Sequence, residues 1–318
     1  MKDEAGFPSV RAGDMGLMKR QNTDSEETAM KKKYLIPLFG TFLCWGSLYI
    51  VSKIALETVP PVTLLALRYV VAIPALLMIL LLRGSLKRMP RADVYTVLAI
   101  GVLGYFLSFC LQMLGIARLT GSIASLLGAM NPIFIPILAS VFLRERLTAA
   151  RLACVAVSMA GVVTIIGVDG AVSVSGAVLM LLSVFLWSST SVIIRRVSGR
   201  YDPMQIAMLG MLAALPLTGA WSFAELRTAA FSLPVSSLLA VLFMGIVGTA
   251  VAHTLWNISL SLMDASFCSM FYPLQPLTAA VLGVVILGER ITPSFVLGAL
   301  IICCGIVAAV LSGKKKPA

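Results

Sequence analysis

Charge is what this 318-residue chain has least of: Asp, Glu, Lys and Arg make up 12% of it, and 59% is hydrophobic. A soluble domain carries roughly 25% charged residues, so a water-surrounded globule is excluded. Acid is scarcer than base, 14 residues against 25. Glu57, Asp93, Glu145, Asp169, Asp202, Glu225, Asp264 and Glu289 all fall in loops or at the ends of apolar runs. Proton-coupled exporters of cationic drugs need a buried carboxylate that proton and solute occupy in turn, so a lipophilic-cation antiporter is disfavoured. Histidine occurs once, as His253, which removes the His-Glu-x-x-His pair of zinc enzymes. There is no buried acid pair and no phosphate-cradling glycine loop, so neither an intramembrane enzyme nor an ATP-driven pump has support. Cys44, Cys110, Cys154, Cys268, Cys303 and Cys304 sit inside apolar runs without metal-type spacing, as small packing residues. No catalytic residue, metal or cofactor is expected.

What is present is a series of apolar stretches of about 20 residues, the length that crosses about 30 Å of hydrocarbon. They lie near 34–54, 62–82, 94–115, 120–142, 151–167, 175–195, 204–223, 236–257, 264–287 and 293–312. Hydrocarbon offers no partner to an open backbone group, so continuous helices are expected; a strand barrel would alternate over roughly 10 residues. The predicted fold is all-α and integral to the membrane, with about ten transmembrane helices.

The net charge of +11 invites a nucleic-acid reading, but its placement is that of a topology signal. Arg83, Lys87, Arg88, Arg91, Arg144, Arg146, Arg151, Arg195, Arg196 and Arg200 fall on one side of the predicted bundle, with Lys31–Lys33 and Lys314–Lys316. Only Lys53, Arg118, Arg227 and Arg290 fall on the other. Both termini are therefore predicted in the cytoplasm, with no nucleic-acid partner. Residues 1–33 read as a disordered cytoplasmic tail and 313–318 as a basic one.

The chain says nearly the same thing twice. Asn131-Pro132, an apolar run and Arg144-Glu145-Arg146-Leu147-Thr148 return as Gln275-Pro276, an apolar run and Gly288-Glu289-Arg290-Ile291-Thr292. At the same 144-residue offset Gly101 matches Gly245, Gly104 matches Gly248, Ser122 matches Ser266 and Ser125 matches Ser269. Upstream the offset is 142, pairing Trp45 with Trp187, Ser47 with Ser189 and Pro61 with Pro203. Five helices is an odd number, so the second copy enters the membrane from the other side. Two inverted five-helix repeats, 34–167 and 175–312, are expected to enclose one central site that opens alternately to each side.

Pro132 and Pro136 fall near the middle of the fourth stretch, and Pro273 and Pro276 near the middle of the ninth. Each is predicted to kink a continuous helix by removing one intrahelical hydrogen bond, tolerated in lipid beside a cavity. Ser125, Asn131, Ser269, Tyr272 and Gln275 are the polar neighbours.

With Trp45-Gly46-Ser47 repeated as Trp187-Ser188-Ser189, the two Pro-containing helices and the paired Glu-Arg-x-Thr helix ends, the chain resembles the EamA family of the drug/metabolite transporter superfamily. The resemblance covers residues 34–312. It implies export of amino acids, related metabolites or toxic small molecules through a cavity lined by helices one, three, four, six, eight and nine.

On those helices the candidate lining is aromatic and amide-rich. Trp45 and Tyr49 share a face at a spacing of four, as do Trp187 with Ser191 and His253 with Asn257. Trp256 lies beside Asn257, and Tyr105 and Gln112, seven apart, are nearly aligned. Such a box suits a small zwitterion or a moderately apolar solute. Packing or an interfacial belt is the competing account of each aromatic, and an interhelical hydrogen bond of each amide. Two roles are open to His253, proton relay or a neutral hydrogen-bonded ring. Arg68 is expected to snorkel outward or to pair with Glu57.

These readings together predict a secondary transporter of the cytoplasmic membrane, its partners a small-molecule substrate and the lipid bilayer, with a homodimer left open. The alternatives are a flippase for a lipid or lipid-linked sugar, and a structural or sensory membrane protein.

Overall fold

In the computed structural model, residues 35–144, 149–166, 173–288 and part of 293–308 are described. The two predicted tails and the Glu-Arg-x-Thr segments at 145–148 and 289–292 lie outside the described residues. No strand occurs among the described residues, and eight helices are long and apolar enough to cross a membrane. They are α1 (Leu35–Leu56), α2 (Pro61–Arg83), α3 (Arg91–Arg118), α4 (Gly121–Phe142), α6 (Val174–Val197), α7 (Pro203–Glu225), α8 (Val235–Leu262) and α9 (Ala265–Leu287). A further helix, α5 (Ala149–Ile166), follows α4.

Burial runs opposite to that of a soluble protein. Leu82, Val235 and Val285 are 82%, 72% and 77% exposed, whereas Thr41, Ser52, Ser108, Ser188, Thr190 and Asn257 are fully buried. An apolar outer belt around a polar interior is what a bilayer solvent selects.

Three carboxylates act at helix ends. Glu225, closing α7, accepts from the Val62 and Thr63 amides and the Thr63 hydroxyl at 3.3, 2.8 and 2.8 Å, which caps the start of α2. Those amides have no intrahelical acceptor, and a carboxylate also suits the positive end of the helix dipole. Asp202 accepts from the Met204 amide at the start of α7. Asp93, opening α3, pairs with Arg200 at 3.1 Å and accepts from the Tyr201 hydroxyl, a bond that raises the Tyr201 pKa above its ordinary value.

The prolines act differently from the sequence expectation. Instead of kinking a continuous helix, α4 stops at Gly128 and restarts at Asn131 after a turn at Ala129-Met130. Pro132 is the second residue of the new half-helix, where its missing N–H has no acceptor to lose. Only Pro136 lies within its half-helix in the sense expected. In α9 the break runs from Met270 to Pro273, held by successive three-residue turns, and Leu274–Leu287 follows with Pro276 in its first turn.

Two irregularities were not foreseen. Residues Ile100–Ser108 of α3 and Ile246–Val251 of α8 are π-helical. Close helix packing accompanies both. A Cβ on Gly104 would meet Thr190 of α6 at 2.4 Å, and one on Gly248 would meet Leu48 of α1 at 2.1 Å. One on Gly101 would meet the Gly210 carbonyl of α7 at 2.7 Å, and one on Gly245 would meet Val71 of α2 at 2.6 Å. Matching glycines of the two halves thus bring α3 onto the second half and α8 onto the first.

Candidate functional site

The breaks in α4 and α9 border an interior space. It is lined by Trp45, Leu48 and Tyr49 of α1, Arg68 of α2, and Phe109, Gln112, Met113 and Ile116 of α3. Gly128 and Asn131 of α4, Ser183, Val184 and Trp187 of α6, His253 of α8, and Tyr272 and Gln275 of α9 complete it. Its cavity volume is about 30 Å³.

The aromatic wall is built by rings in edge-to-face and tilted contact. Trp45 stands 5.8 Å from Trp187, 5.3 Å from His253, 5.5 Å from Trp256 and 6.0 Å from Tyr272, between ring centroids. Trp187 Nε1 donates to the Tyr272 hydroxyl at 2.6 Å, so α6 and the break in α9 are locked together.

The break in α4 is held by an amide. Asn131 Nδ2 donates to the Gly128 carbonyl, and its Oδ1 accepts from the Ser188 hydroxyl of α6, both at 2.8 Å. Tyr49 fills the room beside Gly128, where a Cβ would lie 2.0 Å from its hydroxyl, and Gln112 Nε2 reaches that hydroxyl at 3.4 Å.

Of the candidates named from sequence, Trp45, Tyr49, Gln112, Asn131, Trp187, His253, Tyr272 and Gln275 share this space. Tyr105 and Trp256 are fully buried behind the wall, 5.3 Å from the His253 ring and 5.5 Å from the Tyr272 ring. Tyr105 lies in the π segment, whose wider turn removes the seven-residue alignment with Gln112. Ser125 and Ser269 donate to the Ser122 and Ser266 carbonyls of their own turns. Asn257 Nδ2 donates to the Pro203 carbonyl, tying α8 to the start of α7. Ser191 is buried in α6 outside the lining.

Arg68 neither snorkels nor pairs with Glu57. It is 1% exposed and donates through Nε and Nη2 to the Thr249 hydroxyl of α8 at 3.0 and 2.9 Å. Being ionisable within a span was its signal. Its position near the start of α2 hid it, because sequence does not show which helix covers that face.

The decisive observation comes from comparison with known proteins. The sequence pattern of the EamA-like transporter family matches residues 32–167 and, again, 174–311. The chain belongs to the EamA-like transporter family. This EamA-like transporter is 25% identical over 282 residues to an uncharacterized transporter of Archaeoglobus fulgidus, a match spanning 88% of this chain and 99% of that one. It is 22% identical to the S-adenosylmethionine/S-adenosylhomocysteine transporter of Chlamydia trachomatis, over 85% of this chain and 87% of the other. A Salmonella typhimurium protein named "Probable amino-acid metabolite efflux pump" is 24% identical, over 82% and 89%. In fold, the transporter superposes on a crystal structure with a TM-score of 0.74 at 23% identity, over 88% of this chain and 97% of that one. It is a multi-pass membrane protein.

Proposed function

We propose that this transporter exports amino acids or related small metabolites across the cytoplasmic membrane by alternating access between two inverted repeats. The observation that carries the reading is an interior space walled by both halves at their breaks, with aromatic faces and amides but no carboxylate in its lining. In this reading the chain has ten spans, the repeats cover 34–167 and 175–312, and both termini face the cytoplasm. The crossed glycine contacts support the pseudo-two-fold relation, since each half of such an arrangement packs on the other in the same way. A cavity of about 30 Å³ is too small for an amino acid, so in this reading solute enters by movement of one half against the other. The relative named for amino-acid metabolites supports the substrate class, and the one named for S-adenosylmethionine carries a molecule that contains an α-amino acid head.

The test is counterflow of radiolabelled amino acids and metabolites into liposomes holding the purified protein. The expected result is saturable uptake driven by unlabelled internal solute, which Gln275→Ala lowers by tenfold or so while membrane abundance is unchanged. Folded protein that moves no solute in the panel would sink the reading.

A further inference from the structure

Arg68 is a buried cation whose protein contacts include no carboxylate among the described residues. Burying a charge costs several kcal/mol unless a counter-charge or a full set of hydrogen bonds offsets it. Glu225, near the start of the same helix, is committed to capping α2. Thr249 supplies one oxygen, and Met113 Sδ a 3.9 Å contact to Nη1.

That arrangement uses one edge of the guanidinium fork. A single oxygen that accepts from Nε and Nη2 takes the side edge, which leaves the end edge, a hydrogen on Nη1 and one on Nη2, for a second acceptor. The Thr249 hydroxyl donates to the Met244 carbonyl at 2.6 Å, so its lone pairs are held for Arg68. Arg68 lines the cavity, and an end-on guanidinium fork matches the two oxygens of a carboxylate.

The same threonine orients an acceptor. Its backbone carbonyl lies 2.8 Å from His253 Nδ1, and a carbonyl can only accept, so the hydrogen is on Nδ1 and Nε2 presents its lone pair. His253 Nε2 is buried without a partner, and so is Gln275 Oε1. Both residues line the cavity with Arg68. One interior space therefore holds a cationic donor edge met only by the long Met113 Sδ contact at Nη1, and two acceptors without a partner. Trp45, Trp187, Phe109, Leu48, Met113 and Ile116 supply apolar surface around them.

We propose that Arg68, His253 and Gln275 form a head-group clamp for an apolar α-amino acid. The carboxylate sits on the Nη edge of Arg68, the ammonium donates to His253 Nε2 and Gln275 Oε1, and the side chain packs on the aromatic wall. Thr249 is a positioning residue for both ends of the clamp. The proposal rests on the transport reading above and narrows it to solutes with a free carboxylate and a free amine.

The experiment titrates purified protein in detergent, read by its intrinsic tryptophan fluorescence, with L-leucine and L-methionine and their matched derivatives. L-leucinamide and isopentylamine lack the carboxylate, and 4-methylpentanoate lacks the amine. The wild-type protein needs no substitution for this series, so a folding defect in a variant cannot hide the answer. Leucine and methionine are expected to bind ~30-fold or more tighter than each derivative, as for loss of one partner of a buried charge pair. Arg68→Gln should abolish the preference for acid over amide, and Arg68→Lys, which keeps the charge without the fork, should restore part of it. Equal binding of acid and amide overturns the proposal, as does binding of neither, or an acid preference that survives in Arg68→Gln. Counterflow separates the two claims. Flux of leucinamide equal to that of leucine leaves the transporter reading standing and removes the clamp, whereas Arg68-dependent binding without flux leaves the clamp and removes transport.

Discussion

Trp45 and Trp187, 142 positions apart and matched between the two halves, meet edge to face at 5.8 Å in the centre of the bundle. The cavity is built around that contact, and the two rings differ in one respect: Trp187 Nε1 donates to Tyr272, a bond with no counterpart described for Trp45.

Trp187→Phe is therefore expected to be more destabilising than Trp45→Phe, although both remove the same atoms. The difference is the lost hydrogen bond, about 1 kcal/mol, with a larger loss if the Tyr272 hydroxyl finds no new partner. Thermal unfolding of the two variants in the same detergent checks this; equal shifts would show that the bond contributes nothing net.

Asn131 ties the break in α4 to α6 through Ser188. Asn131→Ala is expected to cost about 1–3 kcal/mol because it leaves the Gly128 carbonyl and the Ser188 hydroxyl without this partner in a buried site. Ser188→Ala should add little on top of it, so the double variant is less destabilised than the sum of the single ones. Full additivity would mean that the two groups do not interact.

Gly248→Ala places a methyl 2.1 Å from Leu48, and Gly104→Ala places one 2.4 Å from Thr190. Real Cβ atoms do not approach so closely, and interhelical contacts at small residues are where backbones come together. Both variants should lose the monodisperse peak in size-exclusion chromatography. Gly219→Ala, with open space around it, should keep that peak.

Glu225→Ala removes the acceptor for three donors at the start of α2. A loss of about 1–3 kcal/mol is expected in thermal or denaturant unfolding, and Glu225→Gln, which keeps one acceptor oxygen, should recover part of it. Hydrogen exchange at Val62 and Thr63 is the local readout: unchanged protection in Glu225→Ala would refute the cap.

Much of the site was legible because its signals are local. Asn131 and Gln275, amides beside prolines in apolar runs, stood out, and both line the cavity. Tyr105 and Asn257 are polar, helical and central too, yet the first lies behind the wall and the second ties α8 to α7. Composition cannot separate these cases, because which face of a helix meets the cavity depends on its neighbours. The π segments compound this: Gly101 and Gly104 were visible as repeated glycines, but a wider turn changes the register of every side chain after it.

Sequence alone determined that this chain is an apolar, all-helical membrane protein with a duplicated pattern and its acids at helix ends, because hydrophobic run length and charge position are properties of short segments. Tertiary structure decided that Pro132 opens a half-helix rather than bending a whole one, since a break is stable only where Asn131 can reach the Gly128 carbonyl and Ser188. It also decided the setting of Arg68, whose partner Thr249 is 181 residues away. Burial of a charge is a relation between helices, and only their packing fixes it.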